Sequence, residues 1–348
     1  MRKLLIRSGL VLAAIMAALL CVEAAIRGLE LALNPRSVLD DVLSWKEASN
    51  LTKHKKGIRS DGKTYDIRIH LGPNGFRPWG NPDSKQRRLL VIGDSFTNAS
   101  QVSDDKTYYA VLIAKLAPEW QVFGYGSSGY GTLQEYMVMD RHWDAIKPDA
   151  VLWQWCCNDL CNNLFEWENQ SSANYCQRPR PYWEQGRIVM RCSREVPVLS
   201  WHSHAYQWLW PFVYNRLWFR RDLPVDNPDA SAPVFQKAVA ATDEILAQAR
   251  KRIGRTPVFA FVALGDETEP YQTAFGRLAA NHDIKLVRGI DRRLAQKEAA
   301  GIVTTAHPSI GGHWSEEGHA AVAEALYETI GPDLRSIAGA APGAAGVR

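Results

Sequence analysis

The sequence predicts an α/β domain: a parallel, doubly wound sheet with helices on both faces, preceded by an apolar N-terminal helix. Three observations carry this. Short apolar runs at residues 89–92, 121–123, 150–155, 257–264 and 284–287 read as strands. A strand covered on both faces has no reason to alternate with polar residues. Between these runs lie stretches with apolar residues at helical spacing, the rhythm of strand-crossover-strand units. The 348-residue chain is 46% hydrophobic and 22% charged, ample material for a core, with no internal repeat.

At the N-terminus, Arg2, Lys3 and Arg7 precede an apolar run from residue 10 to 22, and residues 4–25 are long enough to span a bilayer. Glu23 and Arg27 stand one helical turn apart, placed to pair at a membrane surface. A cleavable signal fits the small residue after Val22-Glu23, but the apolar pattern continues through Ala25, Ile26, Leu29, Leu31 and Leu33. That favours a retained signal anchor over residues 1–30. Cys21 follows Leu20, a poor lipoprotein context. The basic flank is expected to leave the rest of the chain on the far side of the membrane. Residues 31–85 are polar and broken by Gly and Pro, and read as an extended linker and approach segment.

The α/β rhythm occupies residues 86–335. Helices are expected at 108–116, from Thr132 as N-cap, at 233–253, at 271–281 and at 315–330. Residues 162–232 break the pattern as an insertion with Trp167, Trp183, Trp201, Trp208, Trp210 and Trp218. Its aromatics suit either a packed lid or stacking on sugar rings. Cys156, Cys157, Cys161, Cys176 and Cys192 fall close together. In an exported domain they are expected to form disulfides, Cys176 with Cys192 and Cys157 or Cys161 with another member, in preference to binding zinc. Residues 336–348 are rich in Ala, Gly and Pro and read as a disordered tail. The net charge of +4 has no basic stripe, so nucleic acid is not an expected partner.

Four residues at the ends of these runs carry candidate chemistry. Ser95, in Gly93-Asp94-Ser95-Phe96-Thr97, stands where a buried strand delivers a side chain to the C-terminal sheet edge. It suits a nucleophile as well as a helix N-cap. Gly129 follows the second run, where a backbone N–H can approach a substrate oxygen. Asn158 follows the third, where its amide serves either an Asx turn or a developing oxyanion. His313 sits on the loop entering the last helix, within reach of a general-base role. His319, inside that helix, reads as a packing or capping residue.

Together these blocks resemble the SGNH hydrolase superfamily, the GDSL-type esterases and lipases. Gly93-Asp94-Ser95, Gly126-x-x-Gly129, Asn158-Asp159 and Gly312-His313-Trp314 match its blocks in order over roughly residues 70–330. Asn74-Gly75-Phe76-Arg77 and Asp104-Asp105-Lys106-Thr107 are similar to membrane-anchored bacterial members. The resemblance implies a flavodoxin-like three-layer α/β/α sandwich and acyl transfer through an acyl-serine. Ser95 would be the nucleophile, His313 the base, Asp94 a supporting residue, and Ser95, Gly129 and Asn158 the oxyanion donors. The implied partner is an acylated glycan or small ester, with no metal or organic cofactor. The implied location is a single-pass bacterial inner-membrane protein with a periplasmic catalytic domain. An O-acyltransferase acting on an exopolysaccharide and a catalytically weak glycan-binding protein are the alternatives. The family's Asp before the histidine is missing, since Ile310, Gly311 and Gly312 stand there. Asp266, Asp291, Glu316 or a backbone carbonyl would have to orient the imidazole.

Overall fold

The computed structural model describes residues 2–33, 36–58, 62–171, 179–192, 203–206, 228–308 and 312–340. Helix α1 (Arg2–Leu33) contains one segment, Ile6–Leu29, long and apolar enough to cross a membrane, and that segment is not buried by the rest of the chain. Two antiparallel hairpins follow, β1 (Ser37–Asp40) with β2 (Ser44–Glu47), and β3 (Leu51–Ile58) with β4 (Thr64–Leu71). They occupy the stretch expected to be an extended linker. The β3–β4 pair buries one face through Leu51, Ile67, Ile69 and Leu71, with Lys53 and Lys55 opposite Ile69 and Ile67. Its other face carries His54, Lys56, Asp66, Arg68 and His70, and these charged and polar residues together account for the polar reading.

The α/β body then runs β5 (Arg87–Gly93), α2 (Ser95–Asn98), α3 (Tyr108–Ala114), β6 (Trp120–Gly126), α4 (Thr132–Ile146), β7 (Ala150–Trp155), α5 (Cys157–Asn162) and α6 (Phe165–Glu168). A hairpin of β8 (Arg180–Glu184) and β9 (Arg187–Arg191) lies within the insertion. The rhythm resumes with α7 (Pro233–Ile253), β10 (Val258–Val262), α8 (Tyr271–Asn281), β11 (Lys285–Val287), α9 (Ile290–Ala299) and α10 (Glu316–Gly339). The five body strands form one parallel sheet in the order β11-β10-β7-β5-β6. This is the doubly wound, flavodoxin-like order, in which the chain reverses direction across the sheet between β5 and β7.

Side-chain parity along the strands separates two core layers. Leu90, Ile92, Val151 and Trp153 face α4, α7 and α8, while Leu89, Val91, Leu152 and Phe261 face α3 and α10. Each such aliphatic side chain contributes about 2 kcal/mol of burial. Because both faces are covered, the strands carry continuous apolar runs.

Three local expectations are corrected. Thr132 is the first residue of α4, and Gly131 is its N-cap. The capping oxygen comes from a distant residue, as Asn163 Oδ1 accepts the Leu133 N–H at 3.1 Å. The last helix continues to Gly339, through Pro332 and into the stretch expected as a tail, because Ile330 and Leu334 still pack on the sheet; residues 341–348 lie outside the described ones. The expected disulfide at Cys157 or Cys161 is replaced by buried free thiols at Cys156, Cys157 and Cys161. Cys157 and Cys161 sit among core side chains and pack as small apolar residues. Cys176 lies outside the described residues, as do Trp201, Trp208, Trp210 and Trp218. Trp167 packs against Phe235, and Trp183 donates to Glu244.

Candidate active site

Strand β5 ends at Gly93, and α2 begins two residues later with Ser95. Asp94 caps that short helix, its carboxylate accepting the Phe96 N–H at 3.0 Å. The turn is packed too tightly for side chains at two glycines. A Cβ on Gly93 would lie 2.3 Å from Thr97 Oγ1 and 2.4 Å from Gln154 Oε1, and one on Gly126 would lie 2.3 Å from the Asn98 nitrogen. Gln154, on β7, accepts with one oxygen from Asp94 N, Thr97 N and Thr97 Oγ1, at 3.1, 3.1 and 2.8 Å. Ser95 is thus held at the edge of β5 beside β7, at the crevice where doubly wound sheets bind ligands.

His313 reaches the same point from the opposite end of the sequence. Its Nε2 lies 2.9 Å from Ser95 Oγ, a hydrogen-bond distance for a nucleophile and its base. The loop that carries it is fixed by an antiparallel bridge between Thr305 and Trp314, by Ala306 N–H donating to the His313 carbonyl at 2.5 Å, and by Ser315 N–H donating to Thr304 at 2.8 Å. The imidazole rests on Phe96, centroids 4.8 Å apart, and Trp314 packs on Phe96 and Phe261. On the far side of the ring, Nδ1 lies 3.4 Å from the Gln101 side-chain nitrogen. Asp266 and Asp291 direct their carboxylates elsewhere. Asp266 accepts from the Gly289 and Ile290 amides at 2.5 and 2.9 Å, and Asp291 from Gly265 at 3.2 Å. Glu316 begins α10 in an exposed position.

Gly129 lies in the turn after β6, with φ of +78°, a conformation that favours glycine. That turn is tied to the end of β5 by Ser127 N–H donating to the Gly93 carbonyl at 3.3 Å. Arg180 donates to the Gly129 carbonyl at 2.6 Å, and Trp45 Nε1 donates to Ser128 at 3.1 Å. Asn158 is the second residue of α5, and its amide donates to Asn162 Oδ1 at 2.8 Å and also meets the Asp94 carboxyl.

Beneath the serine lies a group of buried carboxyls. Burial raises Asp94, Glu135 and Asp159 above the usual carboxylate range, and Asp94 raises both of the others further. Glu135 accepts from Trp153 Nε1 at 2.6 Å, and Asp159 from the Cys156 N–H at 3.1 Å. Glu168, also buried, is paired with Arg180 at 2.7 Å and accepts from the Tyr182 hydroxyl at 2.6 Å.

Sequence reasoning missed Gln101, Gln154 and Arg180, and named Arg77 without a role. Arg77 donates to the carbonyls of Asn98, Ala99 and Val102 and pairs with Asp104, fixing the loop that carries Gln101. Arg77 had a local signal, since it belongs to the Asn74–Arg77 block. The other three are ordinary polar residues whose roles exist only once strands and loops meet.

No protein-family model matches this chain, and no curated protein does. Among solved structures, a psychrotrophic esterase from Pseudoalteromonas sp., inhibited by monoethylphosphonate, is similar at 11% identity and a TM-score of 0.41. The match covers 72% of this chain and 100% of that one. A family 3 carbohydrate esterase from Clostridium thermocellum matches at 12% identity and 0.41, covering 73% and 100%. A lipase/acylhydrolase from Enterococcus faecalis matches at 15% identity and 0.38, covering 73% and 96%.

Proposed function

We propose that this chain is a serine esterase of the GDSL type that removes ester-linked acyl groups, O-acetyl groups first among them, from an envelope or extracellular substrate. The observation that carries this reading is the 2.9 Å contact between His313 Nε2 and Ser95 Oγ at the sheet's reversal point. His313 takes the hydroxyl proton as Ser95 attacks the ester carbonyl, forming a tetrahedral oxyanion. The Ser95 N–H, at the start of α2, belongs to the first turn of a helix and is not needed for intrahelical bonding. It donates to the oxyanion together with the Gly129 N–H and the Asn158 amide, which turns from Asn162 to do so. The C–O bond breaks as His313 returns the proton to the leaving alkoxide. Water, deprotonated by the same imidazole, then hydrolyses the acyl-serine and restores the enzyme.

The helix Ile6–Leu29, with Arg2, Lys3 and Arg7 before it, supports placing the enzyme as a single-pass protein of a bacterial inner membrane with its catalytic body in the periplasm. A fluorophosphonate probe should label the wild type on Ser95 and leave Ser95→Ala unlabelled, with p-nitrophenyl acetate hydrolysis lost in parallel. Equal labelling of both proteins overturns the assignment.

A further inference from the structure

We propose that Gln101 stands in for the missing acid of the triad, its side-chain carbonyl accepting the Nδ1–H of His313 and holding the ring in the tautomer that can take the serine proton. This rests on the esterase reading above and supplies the part of it that the sequence lacked. For Nε2 to accept the Ser95 proton it must be the bare nitrogen, so the ring's single proton sits on Nδ1, a donor. Among the described residues, the Gln101 amide faces Nδ1, with its nitrogen at 3.4 Å. That arrangement sets two donors against each other. Meanwhile the amide's oxygen is buried with no hydrogen-bond partner among the described residues.

A half-turn of the terminal amide, which exchanges two atoms of nearly equal size, brings the oxygen to Nδ1–H. The side chain is well suited to hold that position. Gln101 is 7% exposed, and its loop is pinned by the four Arg77 contacts and by Arg36 donating to the Asn98 carbonyl at 2.9 Å. An amide orients the imidazole as an acid would, but it carries no charge to stabilise the imidazolium. Gln101 is therefore a positioning residue that fixes tautomer and ring angle.

The test uses the full chain in detergent micelles, with 15N-labelled histidine and p-nitrophenyl acetate hydrolysis measured against pH. In the wild type, the His313 ring signal should show Nδ1 protonated at pH 8, and Gln101→Ala should shift it toward a mixture of tautomers. The same variant should lower kcat on the order of 100-fold with KM little changed. In Gln101→Glu, the new carboxylate favours the imidazolium, so the acid limb of the pH–rate profile should move up by about one unit. The other titratable groups that His313 senses, Asp94 and His319, are unchanged in these variants. An unmoved ring signal in Gln101→Ala, or an unmoved acid limb in Gln101→Glu, overturns the proposal. Wild-type protein that neither hydrolyses the ester nor takes the probe would instead count against the esterase reading, and the ring signal would still report on Gln101.

Discussion

The guanidinium of Arg180 donates to the carbonyl oxygen of Gly129 at 2.6 Å, joining the inserted hairpin to the turn that carries a candidate oxyanion donor. The same side chain is paired with Glu168 at 2.7 Å and lies over the Trp45 ring at 5.2 Å, so it links the insertion, the sheet edge and the first hairpin. Both members of the ion pair are almost fully buried, which makes the pair costly to break from one side.

Arg180→Met keeps the apolar stem but leaves the Glu168 carboxylate buried without its cation. It should destabilise the fold by about 3–5 kcal/mol and lower kcat by freeing the Gly129 turn. Arg180→Met with Glu168→Met should recover most of the thermal midpoint but not the kcat. Thermal melts of the three proteins and p-nitrophenyl acetate kinetics check this. Full recovery of kcat in the double variant would show that the turn does not depend on the guanidinium.

Glu135 should make the protein less stable as pH rises. Its native proton affinity is raised, chiefly by burial and further by Asp94. The unfolded chain releases that proton near pH 4.5, whereas the native state keeps it to higher pH. Its stabilising contribution is complete below that value and is lost as pH climbs through the native one. Glu135→Gln resembles the protonated form, so its thermal midpoint should fall less than the wild type's between pH 5 and pH 8, by ~2–4 °C. Parallel midpoint curves for the two proteins would contradict this.

His319 should act in the opposite direction. It is fully buried, its Nδ1 accepts the Tyr108 N–H at 3.3 Å, and burial pushes its pKa down to about 3. The unfolded imidazole gains a proton near pH 6.5, so stability present above that pH drains away as pH falls toward the native value, by up to roughly 4 kcal/mol. His319→Asn keeps an acceptor for Tyr108 and removes the titration. Urea unfolding at pH 7.5 and pH 4.5 should show a smaller acid loss in the variant, and an equal loss would rule out His319 as its source.

The sheet was legible because its strands are buried on both faces and so spell themselves as apolar runs. Helices α7 and α8 were legible to the residue because their apolar stripes are regular and flanked by Pro or Gly. The hairpins of residues 37–71 were not, since only alternate residues of β4 face a core and the outer face is charged. Thr132 suited an N-cap on local chemistry, yet Asn163 supplied the oxygen from 30 residues away. At the site, Ser95 and His313 stood out through their strand-end and helix-start contexts, and they meet across 218 positions. Gln101 and Arg180 had no such context. Their importance comes from what packs against them, which no local pattern encodes. The cysteines misled because compartment argues for oxidation, whereas Cys157 and Cys161 are buried in the core.

The interlocking of Gly93 with Gln154, and of Gly126 with the backbone of Thr97 and Asn98, also limits how this protein can diverge. A larger residue at 93 needs smaller ones at both 97 and 154, and a shorter one at 154 gives up the oxygen shared by Asp94 and Thr97. Gly126 has no such escape, because what it abuts is main chain. In a lineage descended from this chain, position 93 should therefore enlarge only together with changes at 97 and 154, while position 126 stays fixed for as long as the short helix bearing Ser95 persists.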